Sequence, residues 1–104
     1  MKYLVAAKRN LVPMDPKMAV GVMQAAKQWT SAEIAAGRMD LMYVHGDGSG
    51  GFAISNADSP EEGFDKLLEA PLYVFMDWDV MPLVDWSHGY DKLIELFQKI
   101  AAMA

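Results

Sequence analysis

The stretch from Pro71 to Leu83 constrains the fold most, because it is the longest strand-like run in the sequence. Its side chains alternate between two sets, and a period of two places these sets on opposite faces of a strand. One face is wholly apolar, whereas the other begins with Tyr73 and Phe75 and continues with Asp77 and Asp79. The terminal prolines lack an N–H and suit the ends of a strand. The pattern predicts one strand with two unlike faces, one of which carries two carboxylates.

The rest of the chain supplies three further strands and three helices. The strands are predicted over Tyr3–Val12, Met39–Gly46 and Phe52–Ser55, and the helices over Pro16–Ala36, from Ser59 to about Glu69, and from Asp85–Ser87 to the C-terminal end. Asp15 and Pro16 form a helix start, and Gly37 fits the position that closes that helix. Its predicted apolar stripe consists of Met18, Val22, Ala25, Trp29, Ala32 and Ala36.

A glycine-rich run, residues 46–51, separates the second and third strands. It predicts the tight turn of a β-hairpin, since so many glycines do not hold a helix or strand. It is not a phosphate-binding loop, because it lacks the Gly-Lys-Ser/Thr ending and does not lead into a helix.

The element order is β-α-β-β-α-β with an additional C-terminal helix, which is the order of the ferredoxin-like α+β fold. We expect one domain over residues 1–104, with an antiparallel sheet in the strand order 4-1-3-2. Both core helices would lie on one face of this sheet. The other face would expose apolar side chains, including Leu4, Tyr43 and Phe75, unless another surface covered it. We therefore predict a homodimer or a higher homo-oligomer, in which a second copy of the sheet is the cover.

Composition excludes several classes of function. The formal charge is −5, and the nine basic residues form no cluster, so we expect no nucleic-acid partner. The chain has no cysteine, which excludes disulfides, thiolate catalysis and cysteine-bound zinc. The apolar run before Lys8 has five residues and is too short for a signal peptide, and no stretch is long enough to cross a membrane. These features predict a cytoplasmic protein with no membrane partner.

The whole chain resembles the muconolactone isomerase group of the dimeric α+β barrel superfamily. The resemblance depends on the element order and on the run Pro71-Leu72-Tyr73-Val74-Phe75-Met76-Asp77-Trp78-Asp79-Val80-Met81-Pro82-Leu83, which is similar to the fourth-strand pattern of that group. It implies homodimers or larger rings, with small organic ligands held between helices and sheet, and no cofactor. The first strand differs, since Leu4 and Ala6 stand where the group carries polar or basic residues.

Three residues are candidates for proton transfer. Asp77 and Asp79 share a strand face, and a carboxylate buried there would gain a raised pKa and could act as a general base. The alternatives for this pair are an ion pair with Lys8 or Arg9, or exposure to solvent. His45 ends the second strand and could act as a base without a large pKa shift, or could lie exposed at the hairpin tip.

The candidate substrate-binding residues are Lys8, which could attract a substrate carboxylate, and the aromatic side chains Tyr43, Tyr73 and Phe75. His45 and Asp47 supply only two potential ligands, so we predict no metal site. Three functions stay open. The first is a muconolactone isomerase-like enzyme that moves a proton on a small organic acid or ring compound. The second is a non-catalytic small-ligand-binding or structural barrel, and the third is a cofactor-free monooxygenase or cyclase of the same fold.

Overall fold

The computed structural model describes residues 1–104, which form a four-stranded antiparallel sheet and three α-helices. The strands are β1 (Lys2–Arg9), β2 (Met39–Val44), β3 (Gly50–Asn56) and β4 (Met76–Leu83), and the helices are α1 (Pro16–Ala35), α2 (Pro60–Leu68) and α3 (Trp86–Met103). The spatial order is β2-β3-β1-β4, with β1 paired to both β3 and β4. The predicted ferredoxin-like fold and its strand order are confirmed.

Side-chain caps fix the starts of α1 and α2. The Asp15 carboxylate accepts hydrogen bonds from the backbone N–H groups of Lys17, at 2.8 Å, and Met18, at 3.4 Å. The Ser59 hydroxyl accepts one from the Glu62 N–H at 3.1 Å. Each bond satisfies a helix-end donor that has no partner within the helix. The predicted helix starts are therefore confirmed.

Strand β4 begins at Met76, so the prediction of a strand from Pro71 is wrong for its first residues. Tyr73–Phe75 form a short 3₁₀ turn instead. The Asn10 side chain donates to the carbonyl oxygen of Val74 at 3.0 Å, and the Trp78 indole N–H donates to that of Tyr73 at 2.9 Å. Both donors lie outside the turn, and one of them is remote in sequence. The alternation of side chains within the stretch therefore did not predict the turn.

Strand β3 begins at Gly50, inside the stretch that the sequence assigned to the turn. A Cβ atom on Gly50 would overlap the carbonyl oxygen of Ala7 in the neighbouring strand. Gly48, with φ of 73°, makes the turn itself, in a backbone region that favours glycine. The glycine run therefore has two roles, a turn and a close approach of two strands.

Alternate residues of the sheet divide between two faces, which we call the helix side and the outer face. On β1, the helix side carries Tyr3, Val5, Ala7 and Arg9, and the outer face carries Leu4, Ala6 and Lys8. Helix α1 turns Ala19, Met23, Ala26, Thr30 and Glu33 toward the helix side. The predicted stripe of α1 is wrong except for Val22, which is half-buried, and Trp29, because Met18, Ala25, Ala32 and Ala36 are exposed. Alanine and methionine occur around most of α1, so its apolar pattern does not select one side.

Candidate functional site

A large cavity lies between the helix side of the sheet and helices α1 and α2, and we call it the helix-side cavity. Its volume is about 1340 Å³. Small residues of the sheet form part of its wall, among them Val5, Ala7, Gly51 and Ala53. Because these side chains are short, the helices and the sheet enclose open space where larger side chains would fill a core.

The cavity wall is mostly apolar, with 24 hydrophobic residues among the 40 that line it. Six of the nine methionines of the chain are in this wall: Met1, Met14, Met23, Met39, Met42 and Met76. The flexible thioether chains of methionine adapt to ligands of different shape. The wall is therefore suited to a largely apolar molecule.

The charged groups in the wall are mostly positive, although the chain carries a formal charge of −5. Arg9, Lys27, Arg38 and Lys66 line the cavity, whereas Glu33 is its sole carboxylate. Neither Arg9 nor Lys27 has a carboxylate oxygen within 4.0 Å of its charged nitrogens. The cavity thus offers two unpaired cationic side chains to an anionic group.

Glu33 is buried, with 6% of its surface exposed, and it is paired with Arg38. The guanidinium donates from Nε to one carboxylate oxygen at 2.8 Å and from a terminal nitrogen to the other at 2.9 Å. These hydrogen bonds lower the pKa of the Glu33 carboxyl from its ordinary value of 4.5, against the opposing effect of burial. At neutral pH the group is a carboxylate held in a fixed orientation.

Two polar atoms in the wall residues have no hydrogen-bond partner within the chain. They are the hydroxyl oxygen of Tyr3 and the indole nitrogen of Trp29, and both are buried. Buried polar groups are normally hydrogen-bonded, so each is a potential partner for a polar atom of a ligand after a small side-chain adjustment.

The structure separates most of the predicted site residues from this cavity. Phe75 lines it. Tyr73 lies in the 3₁₀ turn and stacks on Trp78, with ring centroids 6.3 Å apart and an interplanar angle of 16°. Lys8, Tyr43, His45, Asp77 and Asp79 are exposed and lie on or beside the outer face.

The two aspartates do not form the ion pairs that were one of the expected alternatives. Asp77 lies opposite Lys8 in the register of β4 and β1, and Asp79 lies opposite Ala6. Neither carboxylate comes within 4.0 Å of the charged nitrogens of Lys8 or Arg9. Both side chains are exposed, which is the other expected alternative.

His45 precedes the hairpin turn and is also exposed. Its Nδ1 lies 3.5 Å from the hydroxyl of Ser49, whose backbone N–H donates to the Asp47 carboxylate at 2.9 Å. Hydrogen bonds from Ser49 lower the pKa of the Asp47 carboxyl. These contacts close the hairpin turn within itself.

Sequence reasoning missed the polar groups that do line the cavity. Arg9 continues the alternation of Tyr3, Val5 and Ala7. Its face could therefore be predicted once the helix side was known. Glu33 and Lys27 gave no signal, because they interrupt the apolar pattern of α1. Arg38 lies just beyond α1, and only the fold brings its guanidinium back to Glu33.

None of the three helices combines the length and the hydrophobicity that crossing a membrane requires.

The fold of this chain matches those of several solved proteins. The chain is similar to muconolactone isomerase, with a TM-score of 0.73 and 22% identity over 82% of this chain and 90% of the isomerase. It is also similar to the 5-chloro-2-hydroxyhydroquinone dehydrochlorinase of Burkholderia phenoliruptrix AC1100, solved in complex with 2,5-dihydroxybenzoquinone. That match has a TM-score of 0.64 and 16% identity over 85% of this chain and 98% of the dehydrochlorinase. No protein-family model matches the chain, and no curated protein matches it significantly. The predicted resemblance to muconolactone isomerase is confirmed at the level of the fold.

Proposed function

We propose that the protein is a small-molecule enzyme of the muconolactone isomerase-like type. It takes a small, largely apolar organic acid or ring compound into the helix-side cavity and moves a proton on it. The observation that carries this proposal is the cavity itself, with about 1340 Å³ of space behind a mostly apolar wall. Ligand sites of enzymes are commonly apolar clefts with a few polar groups, as this cavity is.

The charges in the wall support an acid as the ligand. Arg9 and Lys27 line the cavity and have no carboxylate partner within the chain. A carboxylate, or the oxygen of an enolate, would pair with one of these two exposed cationic side chains at the cavity. Lys8, which the sequence suggested for this role, lies on the other face of β1.

Glu33 is the candidate proton acceptor in this proposal, because it is the sole carboxylate in the wall and the wall contains no histidine. Its lowered pKa keeps it deprotonated at neutral pH, so it is ready to accept a proton from a carbon next to a carbonyl group. The hydroxyl of Tyr3 could donate to the oxygen that becomes negative in such a reaction.

A non-catalytic ligand-binding role is the second candidate, and one observation favours it. Both oxygens of the Glu33 carboxylate already accept hydrogen bonds from Arg38, which lowers their basicity. In this case the pair of Glu33 and Arg38 would connect α1 to the start of β2, and the cavity would bind its ligand without changing it chemically.

The proposal also includes a homodimer or a higher homo-oligomer. The outer face carries half-exposed apolar side chains, among them Leu4, Phe52 and Ile54. A second copy of this face is a self-complementary cover, as two-fold dimers require.

Binding is tested first, with muconolactone and a panel of small aromatic and lactone carboxylic acids. Trp29 and Trp78 line the cavity, so we expect a ligand to change the tryptophan fluorescence and to raise the melting temperature. If no compound of the panel changes either signal, small-acid binding in the cavity is contradicted.

Proton transfer is tested by incubating the compounds that bind in D₂O and following them by NMR. An isomerase-like enzyme exchanges the proton of the reacting carbon for deuterium, even where the net conversion is small. We expect exchange with the natural chain and none with Glu33→Gln. Binding without exchange would instead establish the non-catalytic role.

A further inference from the structure

Helix α3 (Trp86–Met103) extends away from the rest of the protein. All its residues except Gly89 are exposed, and Tyr90, Phe97 and Met103 expose 63%, 62% and 84% of their surface. The radius of gyration is 17.6 Å and the longest dimension is 62 Å. A compact chain of this length has a radius of gyration of about 13 Å. The helix is therefore an arm and not part of the core.

The exposed area has the size of a permanent interface. The surface of the chain is 7673 Å². A compact protein of 11.5 kDa exposes about 5,800 Å², so this chain exposes roughly 1,900 Å² more. Permanent dimers bury about 1,000 to 2,500 Å² on each partner. The excess is what one copy would contribute to such an interface.

The arm has one apolar side and one charged side. The apolar side consists of Tyr90, Leu93, Ile94, Phe97, Ile100 and Ala101, and the charged side of Asp91, Lys92, Glu95 and Lys99. The apolar residues of α3 recur at positions i, i+3, i+4 and i+7. This spacing makes a stripe that is wider than the a/d seam of a coiled coil and is typical of a helix that packs on a globular surface. In proteins most of the stability of an amphipathic helix comes from the packing of its apolar side, so the stability of α3 depends on a packing partner.

The helix-side cavity supplies a surface of matching chemistry. Met23 of α1 and Phe64 of α2 line it but expose 47% and 56% of their surface, so they mark its open rim. Its volume of about 1340 Å³ also exceeds the roughly 300 to 1,000 Å³ of typical small-molecule sites. The outer face is less suitable for an apolar helix, because it carries the exposed charged side chains of Lys8, Asp77 and Asp79.

We propose that α3 is an exchanged arm, which lays its apolar stripe over the open rim of the helix-side cavity in a second copy of this chain. The arm closes that cavity, so one copy alone has an incomplete site. The arm contact depends on the apolar surfaces alone, whereas its role in closing a ligand site rests on the proposed function. When equivalent copies exchange their arms, every arm is buried and every cavity is covered, and the assembly is closed.

A photo-crosslinker in the arm tests the contact. Benzoylphenylalanine replaces Phe97 in the full chain, and after illumination the products are separated on a denaturing gel and mapped by mass spectrometry. We expect a covalent dimer in which the arm is joined to the rim around Met23 or Phe64. The same crosslinker in place of Lys99, on the charged side, should give little of this product. Crosslinks to α3 of another copy, crosslinks to the outer face, or no covalent dimer would each overturn the proposal.

A matched pair of variants separates this inference from the proposed function. Phe97→Asp places a charge in the apolar stripe, and Lys99→Asp places the same residue on the charged side. We expect Phe97→Asp to shift the sedimenting species to a smaller size and to weaken acid binding at least tenfold, while Lys99→Asp changes neither. A crosslink from the arm to the rim, in a protein that binds no acid, would contradict the proposed function but support the proposed arm contact. Full acid affinity in a Phe97→Asp protein of reduced size would instead overturn the closing role of the arm.

Discussion

The helix side and the outer face of the sheet consist of alternate residues of the same four strands, yet they offer different surfaces. The helix side combines short apolar residues such as Ala7 and Ala53 with helices that stand away from it, which leaves a cavity. The outer face carries larger apolar residues such as Phe52 and Ile54 with no helix above them. A concave apolar surface is suited to a small ligand, whereas a flat one is suited to another protein.

The charges of the two faces differ as well. The outer face carries Lys8 beside two carboxylates, Asp77 and Asp79, and has no excess of positive charge. The cavity wall carries four cationic side chains and one carboxylate. The net charge of −5 hides this difference. The sign of the charge at the cavity therefore follows from the local placement of charged residues and not from the composition of the chain.

The largest expected difference between the two faces is the loss of stability caused by introducing one charged residue. Ala53 faces the cavity and is 5% exposed, and its neighbour Ile54 faces outward. Ala53→Asp should lower the free energy of unfolding by about 3 kcal/mol or more, because the carboxylate enters an apolar wall. Ile54→Asp should lower the free energy of unfolding by about 1 kcal/mol and weaken the oligomer contact proposed for the outer face. Urea unfolding and sedimentation measure the two effects. Equal losses of stability for both variants would contradict the division into two faces.

The second prediction concerns Glu33, the buried carboxylate of the helix side. Glu33→Gln should lower the free energy of unfolding by about 2 kcal/mol at pH 7, because it removes a charged hydrogen-bond partner of Arg38. Urea unfolding of both proteins at several pH values checks this.

The same experiment carries a pH signature. Since the folded pKa of Glu33 lies below the unfolded value of about 4.5, the unfolded chain binds more protons in that range. The contribution of Glu33 is therefore complete above about pH 4.5 and is lost as the pH falls through the folded pKa. The gap between the natural chain and Glu33→Gln should close over this window. A gap that stays constant at low pH would mean that the ion pair does not cause it.

The element order was sufficient to predict the fold and its strand order. Alternation placed Phe75 on the face away from the helices, whereas this residue lines the helix-side cavity. Leu4 and Tyr43 were expected on the face away from the helices, and the register places both on the outer face. The choice of the face that borders the cavity was not predictable from alternation. It depends on where the helices stand, which is a property of the tertiary structure. Lys8, which was predicted to attract a substrate carboxylate, lies on the outer face, whereas Arg9 lines the cavity.

Two other features depended on contacts that are remote in sequence. The turn at Tyr73–Phe75 is held by Asn10 and Trp78, so it interrupts a stretch that alternates like a strand. The pair of Glu33 and Arg38 spans the end of α1, and a glutamate among alanines and isoleucine reads as an ordinary surface residue. The polar groups of a cavity are rarely predictable from a single sequence, because their role depends on the residues that surround them in the fold.

The third prediction uses two neighbours on β1 that point to opposite faces. Arg9→Gln should weaken the binding of a carboxylic acid about tenfold, since it removes an unpaired cation from the cavity. Lys8→Gln, which removes the same charge from the outer face, should leave the affinity unchanged. Titration of tryptophan fluorescence measures both at one ionic strength. A larger effect of Lys8→Gln would move the site to the outer face.

The smallest effect is expected for Asp77, the outer-face carboxylate that was the first candidate base. Its side chain is exposed and has no ion pair within 4.0 Å, so Asp77→Asn should change the free energy of unfolding by less than about 0.5 kcal/mol. It should also leave deuterium exchange into a bound acid unchanged, and Asp79→Asn serves as the matched control. Loss of exchange in Asp77→Asn alone, with full ligand affinity, would place the reacting carbon at the outer face. The catalytic site would then have to form between two copies, because one copy leaves this carboxylate in open solvent.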